Sequence, residues 1–198
     1  MGSSSTVIGN NRCRFSHSQN IVRICLRSNK YVPLFNFAYP FPYYLGVLLK
    51  ALGFGFVDSI KILFAASVPL SAFFMFLASR NLWKSTLGGV VSGILYIYFP
   101  YRMVDLYARG SIGESLSFVL FPFLFYLAIR LVDKAPLFLV GGIAVSVGVL
   151  IMTHNIMTVL FMPIYIVFAL FQIILKKKKL VRTFTISIIL GLGISAFF

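Results

Sequence analysis

Pro100-Tyr-Arg-Met-Val-Asp-Leu-Tyr-Ala-Arg-Gly-Ser-Ile-Gly-Glu114 places two arginines and two carboxylates in fifteen residues of a chain that is otherwise largely apolar. Apolar runs long enough to enter a bilayer lie on both sides of it. A membrane chain keeps such a polar knot only where water, a polar ligand or an opposite charge satisfies it. The surrounding sequence reads as helices arranged around this knot.

The composition points the same way. Of 198 residues, 60% are hydrophobic and 11% charged, against roughly 25% charged in an ordinary soluble domain. No single soluble core hides that much Phe, Leu, Ile and Val. The expected fold class is therefore an all-α, polytopic integral membrane protein with five to six transmembrane helices. The net charge of +14 does not indicate a nucleic-acid partner. The basic residues sit in short clusters between apolar runs, and no basic face with interleaved aromatics forms. Cys13 and Cys25 fit no common zinc spacing and read as unpaired thiols.

Toward the N-terminus of the knot, a span over about residues 85–101 carries a small-residue face of Gly88, Gly89, Ser92 and Gly93, which favours close helix packing. Before it, Asp58-Ser59 reads as the cap of a span over about 59–79 that Pro69 should kink. Residues 31–57 read as an interfacial segment on the outer face. Pro33, Pro40 and Pro42 exclude a regular helix across Pro33–Pro42, and Pro42 opens a short helix that Gly53 and Gly55 end. Residues 1–30 have no h-region of a secretory signal peptide and read as an atypical, disordered leader.

Beyond the knot, further spans are expected at about 112–131, 136–152, 155–175 and 183–198. Alternate loops then share a side. One set holds Arg80/Lys84, Arg130/Lys134 and Lys176–Lys179 with Arg182. The other holds the Pro-rich aromatic stretch, the knot and Thr153-His154-Asn155. The basic set is expected to be cytoplasmic and the knot extracytoplasmic in a multi-pass cell-membrane protein.

Every candidate site residue falls in the second set. Arg102, Asp105 and Arg109, at spacings of three and four, share one face of a helical extension. They read either as an interfacial ion-pair ladder or as a cationic site for a phosphate group. Ser111-Ile112-Gly113-Glu114 has the form of a capping box. Otherwise Glu114 is a catalytic base or metal ligand, with Asp105 the other weak catalytic candidate. A divalent metal usually needs two or more oxygen ligands, and no metal or cofactor motif is evident. His154 and Asn155 read as a polar turn, capped by Thr153 or Asn155, or as contacts to a polar head group. Tyr39, Tyr43, Tyr44, Tyr98, Tyr101 and Tyr107 suit interface anchors, and Tyr39 or Tyr101 can stack on a sugar. No phosphate loop, nucleophile elbow or zinc-protease helix occurs.

The runs Pro33–Tyr44, Phe99–Gly110 with Glu114, and Thr153-His-Asn155 resemble the bacterial and archaeal membrane proteins described as 6-pyruvoyl-tetrahydropterin synthase-related. The resemblance covers about residues 33–198, and nothing in it is similar to the soluble pterin synthase with its zinc-binding histidines. It implies an architecture similar to the GT-C membrane glycosyltransferases, which take a sugar from a polyprenyl-phosphate carrier. On that resemblance Arg102 and Arg109 would hold the carrier phosphate and Asp105 would orient them, while Glu114 and His154 would line the sugar or acceptor pocket. The partners expected are membrane lipid and a polyprenyl-phosphate sugar donor. The alternatives are a non-catalytic membrane fragment and a lipid transporter or flippase component. Members of that family are usually longer, with an earlier acidic outer loop. The chain is therefore expected to be an internal fragment, or a truncated gene product with an unrelated leader, that lacks the acidic loop.

Overall fold

A computed structural model describes residues 39–134 and 137–196. The chain divides into two units, Met1–Phe37 and Ala38–Phe198, and every described residue belongs to the second. The expected leader, both cysteines and most of the Pro-rich stretch lie outside the described residues.

The described chain is helical, with no strand among the described residues. Helix α1 spans Pro40–Ala51 and α2 spans Phe56–Trp83. Next come α3 (Thr86–Ile97), α4 (Pro100–Val104) and a π-helical turn over Asp105–Arg109. The remainder is α5 (Ile112–Lys134), α6 (Leu137–Thr153), α7 (Asn155–Lys176) and α8 (Leu180–Ser195).

Local chemistry moves several expected boundaries. Pro40, not Pro42, takes the first position of α1, where a missing N–H costs nothing. Helix α2 starts three residues before the expected Asp58-Ser59 cap. Gly55 is its N-cap, Asp58 lies in its first turn, and the Ser59 hydroxyl donates back to the Gly55 carbonyl at 2.9 Å. Ser85 caps α3 by accepting from the Gly88 N–H at 3.2 Å.

Helices α2, α5 and α7 are long and apolar enough to cross a membrane, and α3 with the α4–π segment makes a fourth crossing if the bent pair is one span. By length and composition alone that makes three or four crossings among the described residues, and α6 and α8 are two further, shorter apolar helices, α6 running from the Asp133 end of α5 to its His154 end. Helices α6 and α8 have 17 and 16 described residues, at the short end of what crosses a hydrocarbon core of about 30 Å. Helix α7 leaves Ile156, Val159, Leu160, Ile164, Val167 and Phe171 exposed along its length. An apolar stripe of that extent has no place in water and is ordinary against lipid.

Helix α5 is the hub. It packs on α2, α6 and α7, with Leu124, Leu131 and Pro122 fully buried. Aromatic stacking binds it to α7: Phe121 and Phe161 lie 4.1 Å apart at 15°. The small-residue face of α3 packs closely, as expected, and the helix it meets, through Gly89 and Gly93, is α2. A Cβ on Gly89 would stand 2.9 Å from the Phe76 ring, and one on Gly93 would stand 3.1 Å from the Ala72 carbonyl. A second close crossing was not foreseen. On Gly191 of α8 a Cβ would come within 2.8 Å of the Ala144 carbonyl of α6.

The two ends of α5 separate the two sets of loops. At its C-terminal end Asp133 lies 3.6 Å from the Nζ of both Lys84 and Lys176, and Lys177 donates to its carbonyl at 3.3 Å. The knot and His154 gather at its N-terminal end.

Candidate functional site

Pro100 breaks the helical extension that the sequence suggested. A proline cannot donate to the preceding turn and forces its predecessor out of the helical region. Phe99 is accordingly extended (φ −58°, ψ 127°), and α3 and the α4–π segment meet at 42°. After α4 the chain widens into the π turn, closed by the Gly110 N–H donating to the Asp105 carbonyl at 2.7 Å. Gly110 sits at φ +61°, a conformation that side-chain-bearing residues rarely adopt. Insertions of this kind re-aim side chains and recur at functional sites. Here the turn carries Arg109 away from Asp105 and onto Glu114.

Glu114 is the centre of the cluster. The Arg109 guanidinium grips it with two nitrogens, Nη2 at 2.9 Å from Oε1 and Nη1 at 3.1 Å from Oε2. The Tyr101 hydroxyl donates to Oε2 at 2.8 Å and accepts from Arg109 Nη1 at 2.8 Å. His154 Nε2 stands 3.7 Å from Oε1, and the Tyr39 ring stacks on the imidazole at 4.5 Å. The Glu114 side chain is 4% exposed and that of Arg109 51%, so the carboxylate is enclosed and the guanidinium faces outward. The capping box forms only by half. The Ser111 hydroxyl accepts from the Glu114 N–H at 3.5 Å, while the carboxylate is diverted to Arg109 and Tyr101. It still lies in the first turn of α5, where a negative charge is favoured.

His154, rather than Thr153 or Asn155, caps α7. Its Nδ1 accepts from the Met157 N–H at 3.3 Å, while Thr153 turns back to donate to the Val149 carbonyl at 2.6 Å. An accepting Nδ1 leaves the ring proton on Nε2, toward Glu114. Burial holds the His154 pKa below its ordinary 6.5, outweighing the neighbouring Glu114 carboxylate, which raises it. Protonation would put a hydrogen on Nδ1 and break the cap. The unfolded chain therefore binds this proton more readily, and stability falls as pH drops from about 6.5 through the lower folded value. We expect thermal stability to fall as the pH drops below about 6.5. His154→Asn, with an equally good capping oxygen, should show less of that loss in parallel unfolding scans. Equal acid sensitivity in the two proteins would assign the effect elsewhere.

Three expected site residues stand apart. Arg102 is 3% exposed; it donates from Nη2 to the Ser67 carbonyl of α2 at 3.0 Å and faces the Phe118 and Tyr96 rings at 5.3 and 5.8 Å. Asp105 is 1% exposed and accepts from the Ser115 hydroxyl at 2.9 Å. The expected ladder of Arg102, Asp105 and Arg109 is not formed, because the π turn breaks the period of three and four. Asn155 is exposed at the first position of α7, and its side chain makes no hydrogen bond among the described residues. Tyr43, Tyr44, Tyr98 and Tyr107 are exposed, as anchors at a membrane boundary would be. Three contributors were missed. Ser67 and Ser115 are small polars in apolar runs, without a flag of their own. Gly113 has His154 and Thr153 against its backbone, and its place inside the Ser-x-x-Glu box was the available signal.

Among the described residues no group of three His, Cys, Asp or Glu side chains is placed to hold a metal ion. What the cluster offers is an outward-facing guanidinium, two tyrosines, a neutral imidazole and an enclosed carboxylate. Both carboxylate oxygens are engaged, so an incoming hydroxyl must displace Tyr101 or Arg109 to reach one.

No curated protein and no solved structure matches the chain. Residues 35–198 match a family described as the 6-pyruvoyl-tetrahydropterin synthase related domain, and the chain belongs to that family of membrane proteins.

Proposed function

We propose that the cluster around Glu114 handles a polyprenyl-phosphate-linked sugar at the extracytoplasmic face, as part of a GT-C-like glycosyltransferase. The observation that carries this reading is the two-pronged Arg109–Glu114 contact with its outward-facing guanidinium. A guanidinium that holds a carboxylate by two parallel N–H donors has the geometry to hold two phosphate oxygens. Arg109 takes the phosphate. Arg102 supports the helix ends from beneath and does not share that role. Tyr39 and Tyr101 offer ring faces to a sugar, His154 a ring N–H, and Glu114, once released, a carboxylate to accept a proton from an acceptor hydroxyl. The face assignment rests on charge. Arg80, Lys84, Arg130, Lys176–Lys179 and Arg182 belong to the opposite end, with Asp133 among them, and the basic end of a membrane protein is cytoplasmic.

The test is binding of a polyprenyl-phosphate sugar by the protein in detergent. Arg109→Lys keeps the charge and loses the fork. It should weaken binding about tenfold, the equivalent of ~1.4 kcal/mol, with little change in unfolding temperature. Unchanged binding would remove the phosphate role of this cluster.

A further inference from the structure

The opposite end of the bundle holds a second polar recess, independent of the sugar-phosphate reading. A cavity of about 330 Å³ is lined by Leu77, Arg80, Asn81, Lys84 and Thr86, where α2 ends and α3 begins. Arg80 and Lys84 are exposed. The Arg80 guanidinium lies against the Phe76 ring, 5.9 Å from its centre, which limits where its charge can point. The Asn81 amide nitrogen is engaged with the Leu77 carbonyl at 2.7 Å. Lys84 is drawn toward Asp133, but that carboxylate is shared with Lys176. One acidic group thus faces two lysines directly, and Arg80, Lys178, Lys179 and Arg182 of the same end have no ion-pair partner among the described residues. Beside the recess the surface turns apolar. Trp83 is 60% exposed and lies against Gly88, and Leu87, which follows the recess-lining Thr86 in sequence, is exposed as well.

We propose that this recess binds the phosphate of an anionic phospholipid headgroup. The lipid's phosphate sits between Arg80 and Lys84, and its acyl chains run down past Trp83 and Leu87. Both halves of such a ligand are matched. The cations meet the phosphate, and a flat aromatic at headgroup depth with an aliphatic neighbour below it meets the glycerol and first methylenes. A free phosphate or a soluble anion would use the cations and leave the apolar lip unexplained, so the lipid is the occupant. Lys84 has a second consequence. Headgroup phosphate competes with Asp133 for it, so lipid binding relaxes the contact between the α2 end and the α5 end.

Trp83 is the single tryptophan of the chain and reports on this recess directly. The 198-residue chain is placed in phosphatidylcholine vesicles that contain, over the same series of mole fractions, either doxyl-labelled phosphatidylglycerol or doxyl-labelled phosphatidylcholine. Half-maximal quenching should need about fivefold less of the anionic lipid, the preference that one cation near a lipid surface supplies. Arg80→Gln should bring the two lipids close to parity, and Arg80→Lys should keep most of the preference. Raised salt should reduce it in the parent. Three results would overturn the proposal. One is parity in the parent. Another is a preference that survives Arg80→Gln with Lys84→Gln but disappears in Lys178→Gln with Lys179→Gln, which would assign it to the loop before α8. The third is full reversal by millimolar inorganic phosphate at constant ionic strength, which would make this a site for the free ion.

Discussion

Arg102→Met should destabilise the protein by about 3 kcal/mol, the scale on which a buried charge left without a neighbouring counter-charge is felt. Methionine fills much of the same volume, so packing alone predicts a far smaller effect. What is lost is specific. The Arg102 guanidinium donates to the Ser67 carbonyl at 3.0 Å and stands against the Phe118 ring at 5.3 Å, tying the α4 turn to α2 and α5 at once. One turn later in the chain Asp105 is 1% exposed, with the Ser115 hydroxyl on one oxygen and no partner for Oδ1. Without the nearby cation this carboxylate is a buried charge with a single neutral donor. The cost should therefore depend on Asp105. Adding Asp105→Asn to Arg102→Met should restore half or more of the loss, because the buried negative charge is removed with the positive one that offset it. Thermal unfolding of the two single variants and the double variant in one detergent gives the coupling. Additive losses would show that Arg102 acts only through Ser67 and the aromatic rings.

The same prediction marks where the sequence stopped being readable. The apolar runs and the separation of basic loops from the knot fix the solvent and the gathering of the knot and His154 at one end of α5. Both follow from counting charges between long stretches of Phe, Leu and Ile. The meeting of Arg109 with Glu114 does not follow, because reading Arg102, Asp105 and Arg109 on one face assumed an α-helical period. Nothing in Asp-Leu-Tyr-Ala-Arg announces a π turn, and one inserted residue is enough to turn a ladder into a crossed pair. The boundary at Pro100 was readable in principle, since proline ends the preceding turn by a local steric rule, but the apolar pattern of the span ran through it. His154 as the cap of α7 lay outside any propensity rule, for histidine is not a usual capping residue and takes the role here because its other face has Glu114 and Tyr39 to meet. The packing of α8 on α6 rests on Gly191 and on Gly148, where a Cβ would stand 2.9 Å from the Ile194 side chain; these two lie on separate helices and mark no face by themselves, whereas the α3 glycines drew notice by being clustered.

Gly113→Ala should damage the cluster more than its single methyl group suggests, and more than Gly110→Ala does. A Cβ on Gly113 would sit 2.7 Å from the Thr153 carbonyl oxygen and 3.2 Å from His154 Cδ2. The carbonyl belongs to the backbone at the end of α6 and cannot rotate out of the way, so the start of α5 has to move off the α6–α7 turn. Overpacking of this kind costs typically 1–3 kcal/mol, and the displacement carries Glu114 with it. Its 3.7 Å approach to His154 Nε2 should lengthen. Gly110 poses a different problem. It has open space around it and a φ of +61°, so alanine there meets strain of about 1–2 kcal/mol in the backbone alone and no clash against a neighbouring helix. Thermal stability alone does not distinguish the two variants, but the titration of His154 does. Its pKa is lowered chiefly by burial, so parting α5 from the turn lets water in and raises it toward the ordinary 6.5. Carbon-13 resonances of labelled histidine, with His154 assigned through the His17→Gln variant, should show that rise in Gly113→Ala and not in Gly110→Ala. An unchanged His154 titration in Gly113→Ala, at parental stability, would mean that the turn yields without opening and that the close approach at Gly113 does not hold the cluster together.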